Sequence, residues 1–337
     1  MGSEMCIRDR FRVLTKKVCP IGVDLGSSYL RMAQLGTNGH GLYLHGMGCE
    51  KRPEEIESGS SDWQKWAAKT IKQMTKRGGF KDKKVVTALP SQDVFIDQIR
   101  IPRMPANKVG DAVMANVRQK LPFDAGQAMI KHVVAEQTGS KTSEMDVLVM
   151  AADCVIVDRH LAIYENAGLD VQSINVWPFA MTNSFMEFFS RRREEQDKVA
   201  MLLDMGTRNT NVVICRNRNL LLARVVSLGF ADLEQDEGVQ RLISEIDACS
   251  RYFEFHCGGM HIQRLVFLSA KNVDKRICYK LAEMAQRMQI PAQIGDVLTA
   301  VDMRPGSHAG ADKCNSHIDW SVAFGLSLSG RENTNRK

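Results

Sequence analysis

No apolar run in the chain approaches the roughly 20 residues that a helix needs to cross a bilayer, so no helical membrane span is read from it. The sequence has no Gly-x-Ser-x-Gly, no His-Glu-x-x-His and no Gly-x-x-x-x-Gly-Lys-Ser/Thr stretch. Those absences exclude a serine-hydrolase elbow, a zinc-protease helix and a Walker-type phosphate loop. No motif names a nucleophile or general base, so no catalytic residue is assigned. The nine cysteines include no Cys-x-x-Cys pair. Cys154, Cys215, Cys249 and Cys278 fall inside apolar patterns and read as reduced core residues of a cytoplasmic protein. Cys249, His256, Cys257 and His261 lie close in sequence, but Gly258 and Gly259 end a helix among them and scatter the side chains, which argues against a metal centre. No aromatic residues interleave with the basic run Arg191-Arg-Arg-Glu-Glu195, which reads as a solvated linker and not as a nucleic-acid site.

What is present is a chain of 337 residues, 44% apolar and 25% charged, long enough for two domains with cores of their own. A net charge of +6 is mild. It favours an acidic surface, such as an anionic membrane face or a polyphosphate, and names no partner. The first ten residues fit nothing that follows. Residues 3 to 10 resemble translated sequencing-adapter read-through, so Met1 to Arg10 are set aside as non-native and the tail is taken as 1–19.

The organising stretch is Ile21-Gly-Val-Asp-Leu-Gly-Ser-Ser28, a strand running into a tight turn, followed by a second strand with Leu30, Met32 and Leu35. Gly26 lacks a Cβ and lets an anion approach the backbone, Ser27 and Ser28 add hydroxyls, and Asp24 is placed to hold Mg²⁺. Taken alone, Asp-x-Gly-Ser is also what an ordinary hairpin turn produces. The plan recurs about 180 residues later, with Asp204, Gly206, Thr207, Asn209 and Thr210 in the same order. Two such hairpins predict two similar half-domains facing each other across a cleft, where a small ligand would sit.

Along the chain, the first half reads as three strands, a helix capped by Asp62 with Trp63, Trp66, Ala67, Ile71 and Met74 on its stripe, and a strand at 84–89. From Pro90 the order changes to strand, helix, strand, strand, helix, with the first helix carrying Val109, Val113, Val117 and Leu121 up to Pro122. The domains expected are 20–190 with an insert at about 91–167, a charged linker at 191–197, a second domain at 198–330 and a disordered tail at 331–337. The fold class is α/β.

The two Asp/Gly hairpins resemble the phosphate loops of the actin, Hsp70 and sugar-kinase superfamily. Within it, Ala88-Leu-Pro90, Ile101-Pro102, Leu121-Pro-Phe123, Leu148-Val-Met-Ala-Ala152 and Asn166-Ala-Gly-Leu169 fall in the order seen in PilM, the actin-like type IV pilus assembly family; FtsA is a more distant relative. The closing Ala-x-Gly-Leu of the last helix, Ile318 to Leu328, resembles that family too. The resemblance implies an actin-like ATPase fold, two ribonuclease-H-like halves with an SHS2-type subdomain in the first. It implies ATP and Mg²⁺ as cofactors, with Asp24 and Asp204 toward the metal. It further implies a scaffold on the cytoplasmic face of the inner membrane that binds the N-terminal tail of a PilN-like single-pass membrane protein, with a pilus assembly ATPase as a possible further partner. The tail's groove would involve Leu89, Pro90, Ile101, Pro102, Leu121, Pro122 and Phe123.

Two departures from the family stand out. Where it has Ser-Gly-Gly after the strand at 264–269, this chain has Ser269-Ala270-Lys271, which crowds the adenosine side. Only about sixteen positions separate Gly229 from Glu245, so the family's extra subdomain is reduced; Glu234 and Glu237 are candidates for its acidic residue, but no Lys accompanies them. These departures imply weak or lost ATP binding. Two other readings stay open. A small-molecule kinase would need a substrate acid or base in the cleft, and an FtsA-like polymer would need an amphipathic C-terminal helix, which Arg331 to Lys337 does not offer.

Overall fold

The computed structural model describes residues 17–38, 41–135, 143–257, 259–268, 275–303 and 319–332. The readings for the first ten residues, for Ser269 to Lys271 and for the 304–317 loop lie outside the described residues. Among those described, no helix is long and apolar enough to cross a membrane.

The chain opens as an antiparallel meander of β1 (Lys17–Leu25), β2 (Tyr29–Asn38) and β3 (Gly41–Lys51). Helix α1 (Ser61–Arg77) follows, capped by the Ser60 hydroxyl, which accepts from the Trp63 N–H at 3.1 Å. Asp62, expected as the cap, instead lies in the first turn, where its charge faces the positive end of the helix dipole. After β4 (Lys84–Ala88) come β5 (Phe95–Pro102), α2 (Ala106–Val117), β6 (Ala128–Val134), β7 (Glu144–Asp153) and α3 (Cys154–Ala167). Helix α2 stops at Val117, one turn before the expected Leu121. Then follow β8 (Asp170–Asn175), α4 (Trp177–Phe188) and the short α5 (Arg193–Gln196).

Strands β5, β7 and β6 form a three-stranded sheet of their own, with β7 central. One face buries Ile99, Ile101, Val147 and Val149 under Val109, Val113 and Val117 of α2. The block is shorter than the expected 91–167. Ile163, Tyr164 and Ala167 of α3 pack with Trp63, Ala67 and Ile71 of α1, so α3 belongs to the first half.

The second half repeats the plan with β9 (Ala200–Met205), β10 (Thr210–Arg216), β11 (Asn219–Val226), α6 (Asp236–His256), β12 (Arg264–Leu268), α7 (Lys275–Arg287) and β13 (Ala292–Gly295). The sheet order β11-β10-β9-β12-β13 matches the β3-β2-β1-β4-β8 order of the first half, strand for strand. The charged run before it is not a free linker, since Glu195 accepts from Arg264 at 2.8 Å and from Lys198 at 3.1 Å.

The chain then crosses back. Strand β14 (Asp302–Met303) extends the first sheet beside β3, and α8 (Ser321–Glu332) lies against β1 and α4. The expected second domain at 198–330 therefore loses its last elements to the first half. The apolar pattern of α8 announces a buried helix, but not which core buries it. The helix also runs to Glu332, into the residues expected as tail. Cys49 is disulfide-bonded. Cys154, Cys215, Cys249 and Cys257 are free.

Helix α4 is apolar nearly all round and buried on every side, as such a helix must be. Its Met181 and Phe185, each worth about 2 kcal/mol on burial, join the two halves in one core with Leu202, Val213 and Val266. Helix α8 packs at backbone contact. A Cβ on Gly22 would lie 2.0 Å from the Ala323 carbonyl oxygen, and one on Gly325 would lie 1.8 Å from that of Ala180. Neither backbone can yield as a side chain would. Gly22→Ala and Gly325→Ala should each cost at least ~3 kcal/mol, the upper end of overpacking, or prevent folding. Gly110, whose Cβ would be 3.9 Å from its nearest neighbour on the exposed face of α2, serves as the control, since Ala there should add up to ~1 kcal/mol. Denaturant unfolding of the three variants measures the contrast.

Candidate functional site

The two hairpins close in the same way. The Gly26 N–H donates to the Tyr29 carbonyl at 3.0 Å, and the Gly206 N–H to the Asn209 carbonyl at 2.8 Å. Both glycine N–H groups are thereby used inside their turns and are not free for an anion. Arg52 ties the first turn down, its backbone N–H donating to Ser28 O at 2.8 Å and its Nε to Ser27 O at 2.5 Å. Gly229 supports the second turn. A Cβ there would come within 2.5 Å of the Arg208 nitrogen.

The turns face each other across a cavity of about 150 Å³ lined by Asp24, Gly26, Ser27 and Ser28 from one side and Asp204, Gly206, Thr207 and Asn209 from the other. Asn209 Nδ2 donates across it to Ser91 Oγ at 2.9 Å. Of the expected cleft residues only Thr210 is elsewhere. It is fully buried, and its hydroxyl donates to the Leu228 carbonyl at 2.7 Å. A strand's side chains alternate, and Thr210 falls on the inward face.

Hairpin register places one residue opposite each aspartate. Asp24 pairs with Arg31 and Asp204 with Asn211. Arg31 Nη1 donates to Asp24 Oδ2 at 2.5 Å, both side chains 14% exposed, and Asn211 Nδ2 donates to Asp204 Oδ2 at 2.9 Å. Neither partner was named from sequence, although the turn length alone sets this register. Asp319, immediately before α8, was missed too. The Ser321 N–H donates to its Oδ1 at 3.0 Å, and the Ser321 hydroxyl to its Oδ2.

Burial raises the pKa of Asp204, and Asp24 adds to the rise while Arg31 and Asn211 oppose it. Burial, then the Asp204 charge, pushes Asp319 up to about 7. Hydrogen bonding from Asp319 works against the rise at Asp204, as a proton held on Asp319 would. Burial works against the Arg31 charge, but Asp24, Asp204 and Asp319 more than offset it, so the guanidinium is held charged. Behind Asp24, the Thr87 hydroxyl donates to Val23 O at 3.1 Å and meets His160 Nε2 at 3.0 Å and the Tyr164 hydroxyl. Burial drops His160 to about 4, so it stays neutral.

A divalent cation does not fit this arrangement. Asp24 already holds the Arg31 guanidinium, and among the described residues no three His, Cys, Asp or Glu side chains gather as a metal site. The Arg31 ion pair therefore stands against the expected Mg²⁺ on Asp24 and Asp204. The cavity between the turns is by itself smaller than the ~300 Å³ or more of most ligand pockets. On the adenosine side there is a separate apolar hollow of about 490 Å³ between α7 and the β12–β13 edge, beside Phe267, Leu268 and Tyr279. Glu237 is exposed on α6, away from the cleft. Arg31 Nε, Trp177 Nε1 and Asn211 Oδ1, on three residues that line it, have no hydrogen-bond partner among the described residues.

The expected groove residues do not form one surface. Leu89 and Pro90 are buried and line the cleft. Ile101 is 1% exposed in the core under α2, so it is a packing residue and its reading as a contact is corrected. Pro102 and Pro122 are exposed, and Leu121 and Phe123 half-buried.

A family model described as type IV pilus assembly protein PilM matches residues 22–241. No curated protein matches the chain. Among solved structures, the chain is similar to one in a PilM–PilN type IV pilus biogenesis complex, with a TM-score of 0.74 and 20% identity over 92% of this chain and 98% of that one. The fold is accordingly the actin-like ATPase fold. Looser likenesses are the ethanolamine utilization protein EutJ from Carboxydothermus hydrogenoformans (TM-score 0.49, 10% identity, 96% and 93% covered) and the cytoplasmic domain of EpsL of the Vibrio cholerae type II secretion system (0.48, 11%, 95% and 95%).

The acid pair gives a pH test. Asp319 keeps its proton in the folded chain up to about 7 but loses it near 3.8 when unfolded. Between those values the folded state binds more protons, so stability falls as pH rises, by up to about 1.4 kcal/mol per pH unit. His160 slopes the other way from about 4 to 6.5, so only a difference isolates the pair. The unfolding free energy of wild type relative to Asp319→Asn should decline from pH 4 to 7; a flat difference would contradict a proton held on Asp319.

Proposed function

This chain belongs to the type IV pilus assembly protein PilM family, and from that premise we propose that it is an actin-like scaffold docked on the cytoplasmic face of the inner membrane through the N-terminal tail of a PilN-like single-pass protein. The observation that carries this reading is the extent of the family match. Residues 22–241 include the β5–β7 block and both hairpins. The structural relative is a complex of PilM with PilN, which supports a tail of that type as the partner.

The cleft supports a role in which nucleotide is not essential. Phosphoryl transfer is mostly positioning, and it needs both ends of the nucleotide held. Here the cavity between the loops is small and Asp24 is already occupied by Arg31. ATP and Mg²⁺ are therefore bound weakly or not at all. A scaffold asks less of its chain. An extended tail gains main-chain hydrogen bonds at a sheet edge and specificity from side-chain pockets, and the three-stranded sheet offers β5 and β6 as edges. Pro102, Leu121, Pro122 and Phe123 are the accessible members of the expected groove.

The test is fluorescence anisotropy with a labelled tail peptide from a PilN-like neighbour, titrated with the full chain. Phe123→Glu should weaken binding about 10-fold or more while the thermal midpoint holds. Ile101→Asp should behave differently, unfolding the block, because it buries a carboxylate with no partner. If no such tail binds, or if the protein instead phosphorylates a small metabolite, the scaffold reading fails.

A further inference from the structure

We propose that Arg31 is a built-in substitute for a divalent cation, tying together the carboxylates that both halves bring to the cleft, so that the cleft holds its closed arrangement without metal or nucleotide. Three acidic side chains converge there from separate elements. Asp24 ends β1, Asp204 ends β9, and Asp319 precedes α8. Three buried carboxylates of like charge would force the halves apart unless something positive lay among them. In a metal-dependent cleft that something is an ion drawn from solution. Here it is a guanidinium on the neighbouring strand, fixed opposite Asp24 by hairpin register and bonded to it at 2.5 Å.

The geometry supports this. Arg31 offsets the charge of Asp24 directly and lines the same cavity as Asp204 and Asp319. A dication entering beside Asp24 would meet the guanidinium at a few ångströms in a poorly solvated site, where repulsion is strong. Arginine suits the position because it cannot lose its proton at any ordinary pH. The matching position of the second hairpin carries neutral Asn211, which bonds Asp204 without altering its charge. The cation is thus present in one copy of the motif only, at the copy that faces Asp204 and Asp319.

Arg31's role is independent of whether a tail docks on the β5–β7 block. The experiment measures Mn²⁺ binding to the full chain by electron paramagnetic resonance, for wild type, Arg31→Met, Arg31→Lys and Asp204→Asn. Wild type and Arg31→Lys should show no saturable site. Arg31→Met, which keeps the apolar stem and loses the charge, should bind Mn²⁺ at least ~10-fold more tightly, and adding Asp204→Asn should abolish the gain. Wild type binding Mn²⁺ as tightly as Arg31→Met would overturn the proposal. Should Arg31→Met fail to fold, wild type decides alone. A saturable Mn²⁺ site lost in Asp204→Asn overturns it, whereas no site, with a thermal midpoint unmoved by Mg²⁺ and ATP, upholds it.

Discussion

Helix α8 governs the cleft because of where it is allowed to lie. It runs between β1 and α4 at backbone contact, which needs a missing side chain at Gly22 on one side and at Gly325 on the other. Ser327 then pins it lengthwise. Its hydroxyl donates to Pro20 O at 2.8 Å and accepts from the Leu35 N–H at 3.1 Å, so a buried polar group on an apolar face is fully paired. With depth and axial position both fixed, the helix start is fixed too, and Asp319 lies in the cleft. A helix held a methyl group further out would carry Asp319 away from Asp204. Hydrogen bonding from Asp319 would then be lost, and each carboxylate would be buried alone.

The two halves show how one backbone plan can carry different electrostatics. Sheet order, turn hydrogen bonds and the aspartate-to-partner register are the same in both. The partner is not. Opposite Asp24 stands a cation, which settles that carboxylate as an anion. Opposite Asp204 stands an amide, which satisfies one oxygen but offers no charge, so burial raises the pKa of that carboxyl. Neither solution is available to the other copy. Without its arginine, Asp24 would add an uncompensated charge beside the acid pair.

Much of this fold is legible in the sequence, and the reasons differ by element. Strands β1, β2, β9 and β10 follow from alternating apolar residues around Asp-x-Gly turns, and α1 and α6 from stripes of period 3.6. Where the elements go is less legible. The apolar face of α3 is equally consistent with the three-stranded sheet or with α1, and only packing assigns Tyr164 to the latter. The destination of α8 is hidden for the same reason, since burial on every side names no neighbour. In the cleft, motif reading finds the residues that form the turns but passes over Arg31, Asn211 and Asp319. The first two were within reach, because a four-residue loop between Leu25 and Leu30 sets 24 opposite 31. Asp319 was not, lying more than a hundred residues from either turn. Ile101 shows the opposite error. A motif position was read as a surface when its own strand alternation turns it inward under α2.

A nucleotide-dependent switch has to leave its cleft electrostatically incomplete, so that the ligand supplies what is missing and its loss is felt. This cleft is close to complete by itself. The guanidinium offsets one acid, burial raises the pKa values of the other two, and Asn209 reaches across to Ser91. Two halves that hold each other in this way give the block of β5, β6 and β7 a stiff support. A peptide docking there pays little to order the protein beneath it. Rigidity that would impair a motor is an advantage in a support, and on the proposed reading this cleft has exchanged turnover for that rigidity.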